Sequence, residues 1–592
     1  MLPVTASEWM REIRADETAR DKIVKRANEM VKGFHGRAYA DSWEGESDNP
    51  ENHAFKMVSS ILPLLAHSNP KATVGSRKNG PTQEWTKALQ HGLNRWLTLT
   101  RFHRLSEKLA TDFCFSWAAT LTSVQVRPGF EEAEDPPYWP QVARLSTSQF
   151  GFDRLAYSFE EARYIWHKVV IDRDDLVAQA TADAEKPEEQ REGWIIDGVR
   201  AMGQTSGIGT GRQEEEVRED EVSYYEVWDR SGKVDKEKTA EMGYHGSITR
   251  FAVGAEGSGV QICKPFDYWG PRWGPYTLYG CFTVPDHPWP LSILMATFEQ
   301  ERELNATARM TTESGRKYKR AFFADDEDLT ELMKESQHDH VYYHPNLMAS
   351  KTETAEFGGI TDQMIAQEAR LRDALERNSG LTEVEQGNLS GVSATETSIA
   401  TSAASKRQSY YVRKFGDSVR ANLETVLWFL ANHDSIVYEL GEDAAKELGM
   451  QQPMFVGGPD NPEQGTLDNL EIELDVRSMG HKTQQEESQD AMNKMTIVSE
   501  LANLAVTSPA RVRELAQQVG EGMGWPDLPD LIDFELAAQM QALQMGSQDG
   551  QGGGPAPFTP PPQPRLSITQ TGRAAGQRAH AKSQSQPQGM MR

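Results

Sequence analysis

Cysteine is nearly absent from these 592 residues. Only Cys114, Cys263 and Cys281 occur, too few and too scattered for a disulfide framework. They read as small core side chains of a protein kept in a reducing compartment. Long apolar runs are missing too: the longest, near Ile61–Ala66 and Val426–Ala431, fall far short of the ~20 residues a membrane span needs. The N-terminal Met1-Leu-Pro-Val-Thr-Ala-Ser-Glu8 has no basic-then-apolar order, so no secretion signal is expected. Positive charge is in deficit. Against 62 Lys and Arg stand 88 Asp and Glu, a net charge of −26. That excludes a protein that grips DNA phosphates through clustered bases, but not a surface that DNA slides past. Signatures of chemistry are missing as well. The Gly-rich Gly207-Ile-Gly-Thr-Gly-Arg212 lacks the G-x-x-x-x-G-K-[ST] spacing and follows no buried strand, so it reads as a linker. There is no H-E-x-x-H, no G-x-S-x-G and no Cys/His zinc spacing. No enzymatic activity, cofactor or metal is expected.

What is present centres on residues 360–434. A helix is predicted from Thr361-Asp362 to Asn378, with acid at its start, Arg377 at its end and Gly380 to close it. A polar loop follows, with Gly387 and Gly391. Ser393-Ala-Thr-Glu396 then forms a capping box that opens a second, long helix. Its apolar positions step mostly by three and four: Ile399, Ala403, Tyr411, Phe415, Val419, Leu423, Leu427 and Leu430. Unbroken, it would run roughly 55 Å. Gly416 is a candidate bend. Ala400, Ala403 and Ala404 keep its early turns thin enough for close helix packing.

The length predicts several domains. Helices are expected over Asn52–Leu65, Thr86–Ala119, Leu291–Arg316 and the turn opened by Ser158. Strands are expected at Ala72–Val74, Leu121–Val126, within Val142–Phe152, and at Trp166–Ile171, Val222–Trp228, Lys319–Ala324, His340–His344 and Leu470–Val476. Pro136, Pro137 and Pro140 are expected to break the chain, and Thr181–Glu219 to form a mobile polar insertion. Helices are expected again over Ser488–Ala505, Pro509–Val519 and Pro529–Met545. From Gly546 the sequence is Gly-, Pro- and Gln-rich, with bases at Arg565, Arg573, Arg578 and Lys582, and is expected to be disordered. The aromatics of residues 96–117 are expected in a core. His338, His340 and His344 would share one face of a strand and could meet a metal, but Asp339 points the other way, and a His-rich surface strand accounts for them.

In this order the motifs resemble those of the portal proteins, the head-tail connectors of tailed bacteriophages, over most of residues 20–545. The resemblance rests on Asn52-His-Ala-Phe with Leu62-Pro-Leu-Leu and Asn69-Pro-Lys-Ala-Thr-Val74. It rests also on Tyr225-Glu-Val-Trp-Asp229, Pro288-Trp-Pro-Leu-Ser292, Gly391-Val-Ser-Ala-Thr-Glu396 and Val476-Arg-Ser-Met-Gly480 before a Gln/Glu-rich helix. It implies a mainly helical α+β chain with wing, stem, clip and crown, assembling as a closed ring of about twelve copies. The wing would be 1–285 with parts of 394–485, the first stem helix 286–316, the clip 317–359 and the second stem helix 360–379. A channel loop would occupy 380–393, the long helix and its return to the wing 394–487, the crown 488–545 and a disordered tail 546–592.

The loop residues Glu383, Glu385, Gln386, Asn388, Leu389 and Ser390 would then face the channel. Asp325, Asp326, Glu327, Asp328, His340, Tyr342 and His344 would dock partners at the clip. The implied partners are the large terminase, the major capsid or scaffolding protein, a head-tail adaptor or tail protein, and double-stranded DNA in transit. The implied location is the virion portal vertex, with the host cytoplasm during assembly. Two rivals remain: a terminase or maturation protease, which would need the missing nucleotide or nucleophile motif, and a scaffold or adaptor that forms no pore.

Overall fold

The computed structural model describes residues 3, 5–35, 52–76, 83–127, 138–187, 191–203, 221–254, 257–316, 318–324, 331, 341–343, 352–357, 359–379, 394–433, 436–439, 454–456, 470–475, 479, 492, 495–498, 501 and 515–516. The chain divides into two compact units, Met1–Lys482 and Thr483–Arg592. In the second unit the described residues are helical, so the expected crown and tail fall mostly outside them. The first unit mixes helix and strand throughout, an α+β chain.

It opens with helices α1 (Ala6–His35) and α2 (His53–Leu65), strand β1 (Lys71–Ser76), helices α3 (Gln83–Leu99) and α4 (Phe102–Phe115), then strands β2 (Ala118–Val126), β3 (Tyr138–Leu145), β4 (Phe150–Phe152) and β5 (Tyr164–Asp172). Helices α5 (Arg173–Glu185) and α6 (Ile196–Arg200) precede seven strands: β6 (Glu221–Asp229), β7 (Tyr244–Val253), β8 (Gly259–Gln261), β9 (Phe266–Trp269), β10 (Tyr276–Tyr279), β11 (Phe282–Val284) and β12 (His287–Leu291). Then come α7 (Phe298–Arg316), β13 (Lys319–Ala324), β14 (Val341–Tyr343), β15 (Thr352–Phe357), α8 (Asp362–Ser379), α9 (Ala394–Asn432), β16 (Val437–Glu439), β17 (Met454–Val456) and β18 (Leu470–Asp475).

The largest sheet is antiparallel, in the order β4-β5-β6-β7-β8, with β9 also on β7. Strand β6 is buried on both faces, and its period of two sorts its side chains. Tyr225 and Val227 join Trp166 and Phe251 under Trp9, Met10 and Ile13 of α1. Val222 and Tyr224 turn the other way and pack with Leu176 of α5 and Val199 of α6. Trp228 faces Phe150, Tyr276 and Trp289 in a third cluster. Within the sheet Arg250 pairs with Glu226 at 2.7 Å. The ring of His167 lies 2.8 Å from the Tyr276 hydroxyl, and burial pushes its pKa down.

The largest core lies among the helices. Tyr411, Phe415, Val419, Leu423, Leu427 and Leu430 of α9 pack with α2, α3 and α4 and with the β1–β18 pair. Each such side chain contributes about 1.5–3 kcal/mol on burial. Asn422 is buried in the same face and reaches the Thr120 hydroxyl at 2.8 Å. The three cysteines are unpaired and buried. The aromatics of residues 96–117 are core, as expected. Helix α9 is continuous through Gly416.

Several expectations are corrected. Thr86–Ala119 is two helices and the start of a strand. Arg101, at φ 52°, ends α3, and the Asn69 carboxamide accepts the His103 N–H at 2.6 Å as α4 begins. Pro140 does not break the chain but sits in β3, an edge strand where its missing N–H costs nothing, and its carbonyl accepts Trp96 Nε1–H at 2.9 Å. The turn after Ser158 is a single 3-10 turn, Phe159–Glu161. Residues 181–187 and 191–203 of the expected 181–219 insertion are built into the fold, the rest lying outside the described residues: the buried Asp183 carboxylate accepts the N–H groups of Glu192, Gly193 and Trp194 at 2.7, 2.9 and 3.1 Å. The expected first stem helix loses its first residues, because Leu291 is taken by β12 in register with Phe282.

Candidate functional site: a helical hairpin and an aromatic cleft

Helices α7 and α8 pack against each other, and the chain between them carries a three-stranded sheet. At about 1.5 Å per residue they are roughly 28 and 27 Å long. The root of the pair is tied to the helical core. Glu301, in the first turn of α7, accepts the Ala54 N–H at 3.1 Å and so caps α2. Burial raises the Glu301 pKa even so, against the pull of the Ala54 and His53 N–H groups. Asn378 Nδ2 donates to Gln300 Oε1 at 2.9 Å, joining the end of α8 to the start of α7. Arg407 of α9 donates to the carbonyls of Arg377 and Asn378 at 2.7 and 3.3 Å, where a cation suits the carbonyl end of α8.

The far end is closed by Gly359. Its N–H donates to the Ser314 carbonyl at 2.9 Å, and the Ser314 hydroxyl donates to its carbonyl at 2.6 Å. Its φ of +99° suits glycine, and a Cβ there would lie 2.9 Å from Tyr318 Cδ2. Beyond this closure β13 is the central strand, parallel to β14 and antiparallel to β15. The third strand, β15, had no counterpart among the expected strands.

The pair is sparsely packed. Helix α7 buries Leu304, Asn305, Thr307 and Ala308, whereas α8 buries Leu375 alone among its described side chains. Met310, Ile365 and Ile360 are 62%, 54% and 52% exposed, and Tyr318 is exposed beside them. The ion pairs along α8, Arg372 with Glu368 at 3.3 Å and Arg377 with Asp373, are surface i,i+4 pairs worth a few tenths of a kcal/mol each.

A second feature had no signal in local sequence. At one end of the large sheet a cleft of about 1120 Å³ opens between β6–β7, the β9–β10 connection and α9. Trp269, Trp273 and Trp428 line it together with Arg230, Arg272 and Glu424. Trp269 and Trp428 meet edge to face at 4.9 Å, and Trp273 Nε1–H donates to the Thr425 hydroxyl at 2.8 Å.

Of the expected site residues, Tyr342 lies in β14 and Ala400, Ala403 and Ala404 lie in the early turns of α9. Asp325, Asp326, Glu327, Asp328, His340 and His344, together with Glu383, Glu385, Gln386, Asn388, Leu389 and Ser390, lie outside the described residues, as do His338 and the Gly-rich 207–212. Among the described residues no group of three His, Cys, Asp or Glu is placed to hold a metal ion, and no helix is long and apolar enough to cross a membrane. No protein-family model matches this chain, and no curated protein matches it.

Proposed function

We propose that this chain is a portal-type protein: a ring-forming channel subunit through which DNA enters and leaves a capsid. The observation that carries the reading is the α7–α8 hairpin. A helix of 18 residues that buries only Leu375 among its described side chains gains little from its own chain, whereas most helical stability in proteins comes from packing one face. Met310, Ile360 and Ile365 are exposed along the pair and offer apolar surface for a partner to cover. Side-by-side copies around a closed ring would supply that partner for every subunit at once. In that ring α7 and α8 are the stem, the β13–β15 sheet is the clip, residues 380–393 face the channel, and the large sheet with the helical core is the wing. The net charge of −26 per copy supports passage of DNA over adhesion. The clip is the docking face for a terminase and then for adaptor or tail proteins.

Negative-stain microscopy of the purified chain tests this. Closed rings of about twelve copies with a central hole are expected. A monomer or dimer at every concentration would overturn the reading in favour of a scaffold or adaptor without a pore.

A further inference from the structure

Two arginines of the aromatic cleft are set by one buried ring, that of Trp228 near the end of β6. The Arg230 guanidinium lies 5.2 Å over this ring and donates from NH1 to the Glu160 carbonyl. Its Nε is buried with no hydrogen-bond partner among the described residues. Burial lowers the Arg230 pKa, and Glu160 offsets that only in part. A tight turn runs against the same ring. The Gly274 N–H donates to the Pro271 carbonyl at 2.9 Å, which makes Arg272 and Trp273 the two corner residues. Gly274 has φ +91°, and a Cβ there would lie 2.2 Å from the Trp228 ring, so glycine alone lets the turn press so close. Both corner residues are exposed, Trp273 by 45%. Its Nε1–H is nevertheless tied to the Thr425 hydroxyl, so the ring is held in place while much of it stays in water. No ion pair engages Arg230 or Arg272 among the described residues. The acids on the cleft wall are Glu160, exposed at the rim, and Glu424, taken by Arg420 at 3.1 Å.

We propose that this cleft binds a nucleotide, its base on the Trp273 ring and its phosphate on Arg230 and Arg272. A tryptophan held in place in water is a stacking platform that any base can use. A guanidinium is a planar fork of N–H donors that matches phosphate oxygens two at a time. The buried Arg230 Nε, a donor with nothing to donate to, gains an acceptor when an anion arrives. A small carboxylate would serve the arginines and leave the tryptophan bare, and a neutral ring would do the reverse. The cleft, at about 1120 Å³, has room for a mononucleotide. On a chain of net charge −26 the site is local, two arginines beside a ring and not a basic face. A free mononucleotide and an unpaired base of a single strand share this chemistry. Duplex DNA does not, because its bases are stacked inside. The site does not rest on the ring reading: a monomer would carry it as well as a ring.

The test is isothermal titration calorimetry of the full chain with AMP, adenosine and inorganic phosphate. AMP should bind about tenfold more tightly than either of its parts. Trp273→Ala should weaken AMP about tenfold and leave phosphate unchanged, whereas Arg272→Ala should bring AMP down to the level of adenosine. Both side chains are exposed, so the variants should fold, and an unchanged melting temperature checks this. The three probes on the unaltered chain decide the matter even where a variant fails. A single-stranded oligonucleotide tighter than AMP and sensitive to Trp273→Ala supports the site with a strand as its ligand. One that is weaker than AMP supports it with the free nucleotide. No heat from AMP at millimolar concentration overturns the proposal. So does AMP that binds no more tightly than phosphate, or that Trp273→Ala leaves unchanged, and so does duplex DNA that binds as well as the single strand.

Discussion

Single side chains hold the layers of the first unit together, and Asp16 shows how. It lies on the buried face of α1 and accepts from the Tyr164 hydroxyl at 2.9 Å, Trp166 Nε1 at 3.3 Å and Arg154 NH1 at 3.1 Å. Burial pushes its carboxyl up to about 6, against the pull of Tyr164 and Arg154. For Arg154 burial also works against the charge, but hydrogen bonds to Glu12 and Asp16 outweigh it and hold the guanidinium above its usual value. The carboxylate decides the pH dependence, because Arg154 stays charged throughout. The folded pKa lies above the unfolded 3.8, so between them the folded chain binds more protons than the unfolded one. Stability from this group is thus greatest below 3.8, falls as pH rises through 6, and is level above, by an amount on the order of 3 kcal/mol. Asp16→Asn keeps an acceptor and removes the titration. Its urea midpoint should vary less than that of the parent between about pH 4 and 6.5. Parallel curves for the two proteins would show that Asp16 is charged across the whole window.

At the scale of elements, the α7–α8 hairpin is joined to the helical core at its root, by Phe298 packing and by the polar ties of Glu301, Asn378 and Arg407. Its sheet depends on the closure at Gly359. Gly359→Ala would strain the backbone at φ +99° and press a methyl on Tyr318, at a cost of about 1–3 kcal/mol. The effect should be local. Amide exchange in β13 and β15 should accelerate while β5 and β6 keep their protection, measured by hydrogen-exchange mass spectrometry. Equal acceleration in β5 and β6 would mean that the hairpin and the large sheet open as one body. In the same way the Arg101 break, not the apolar pattern, sets where α3 stops, because the Asn69 side chain rewards the new helix start.

For the whole molecule, the ring reading separates residues that hold copies together from residues that act on DNA. Removing Val384–Leu389 should leave ring yield and melting temperature nearly unchanged and impair packaging or retention of DNA. Ala403→Leu with Ala404→Leu should lower ring yield instead, since overpacking a thin helix face costs typically ~1–3 kcal/mol per site. Loss of rings on loop deletion, with silent alanine variants, would make the loop a packing element. A chain ending at Gln544 should still assemble, because the remainder is too poor in apolar residues to build an interface. Monomers from that truncation would assign the tail a structural role.

The sequence by itself determined the elements whose pattern is carried by neighbours in the chain. The period of two in β18 and the three-and-four spacing from Tyr411 to Leu430 were legible because one buried face imposes them, and the helix from Asp362 to Ser379 because the acid at its start and Arg377 at its end are local signals. Tertiary structure decided what depends on a partner far along the chain. Leu291 has no local reason to leave the helical pattern; Phe282 across the turn gives it one. The start of the 181–219 stretch reads as a mobile polar insertion until Asp183 gathers the N–H groups of residues 192–194. Strand β1 was legible at Ala72–Val74, but not its partner β18, which comes from the other end of the unit. The cleft is assembled from several separate segments, so no window of sequence contains it. Periodicity records which face is buried, but not what buries it, and sites made between elements exist only once that second question is answered.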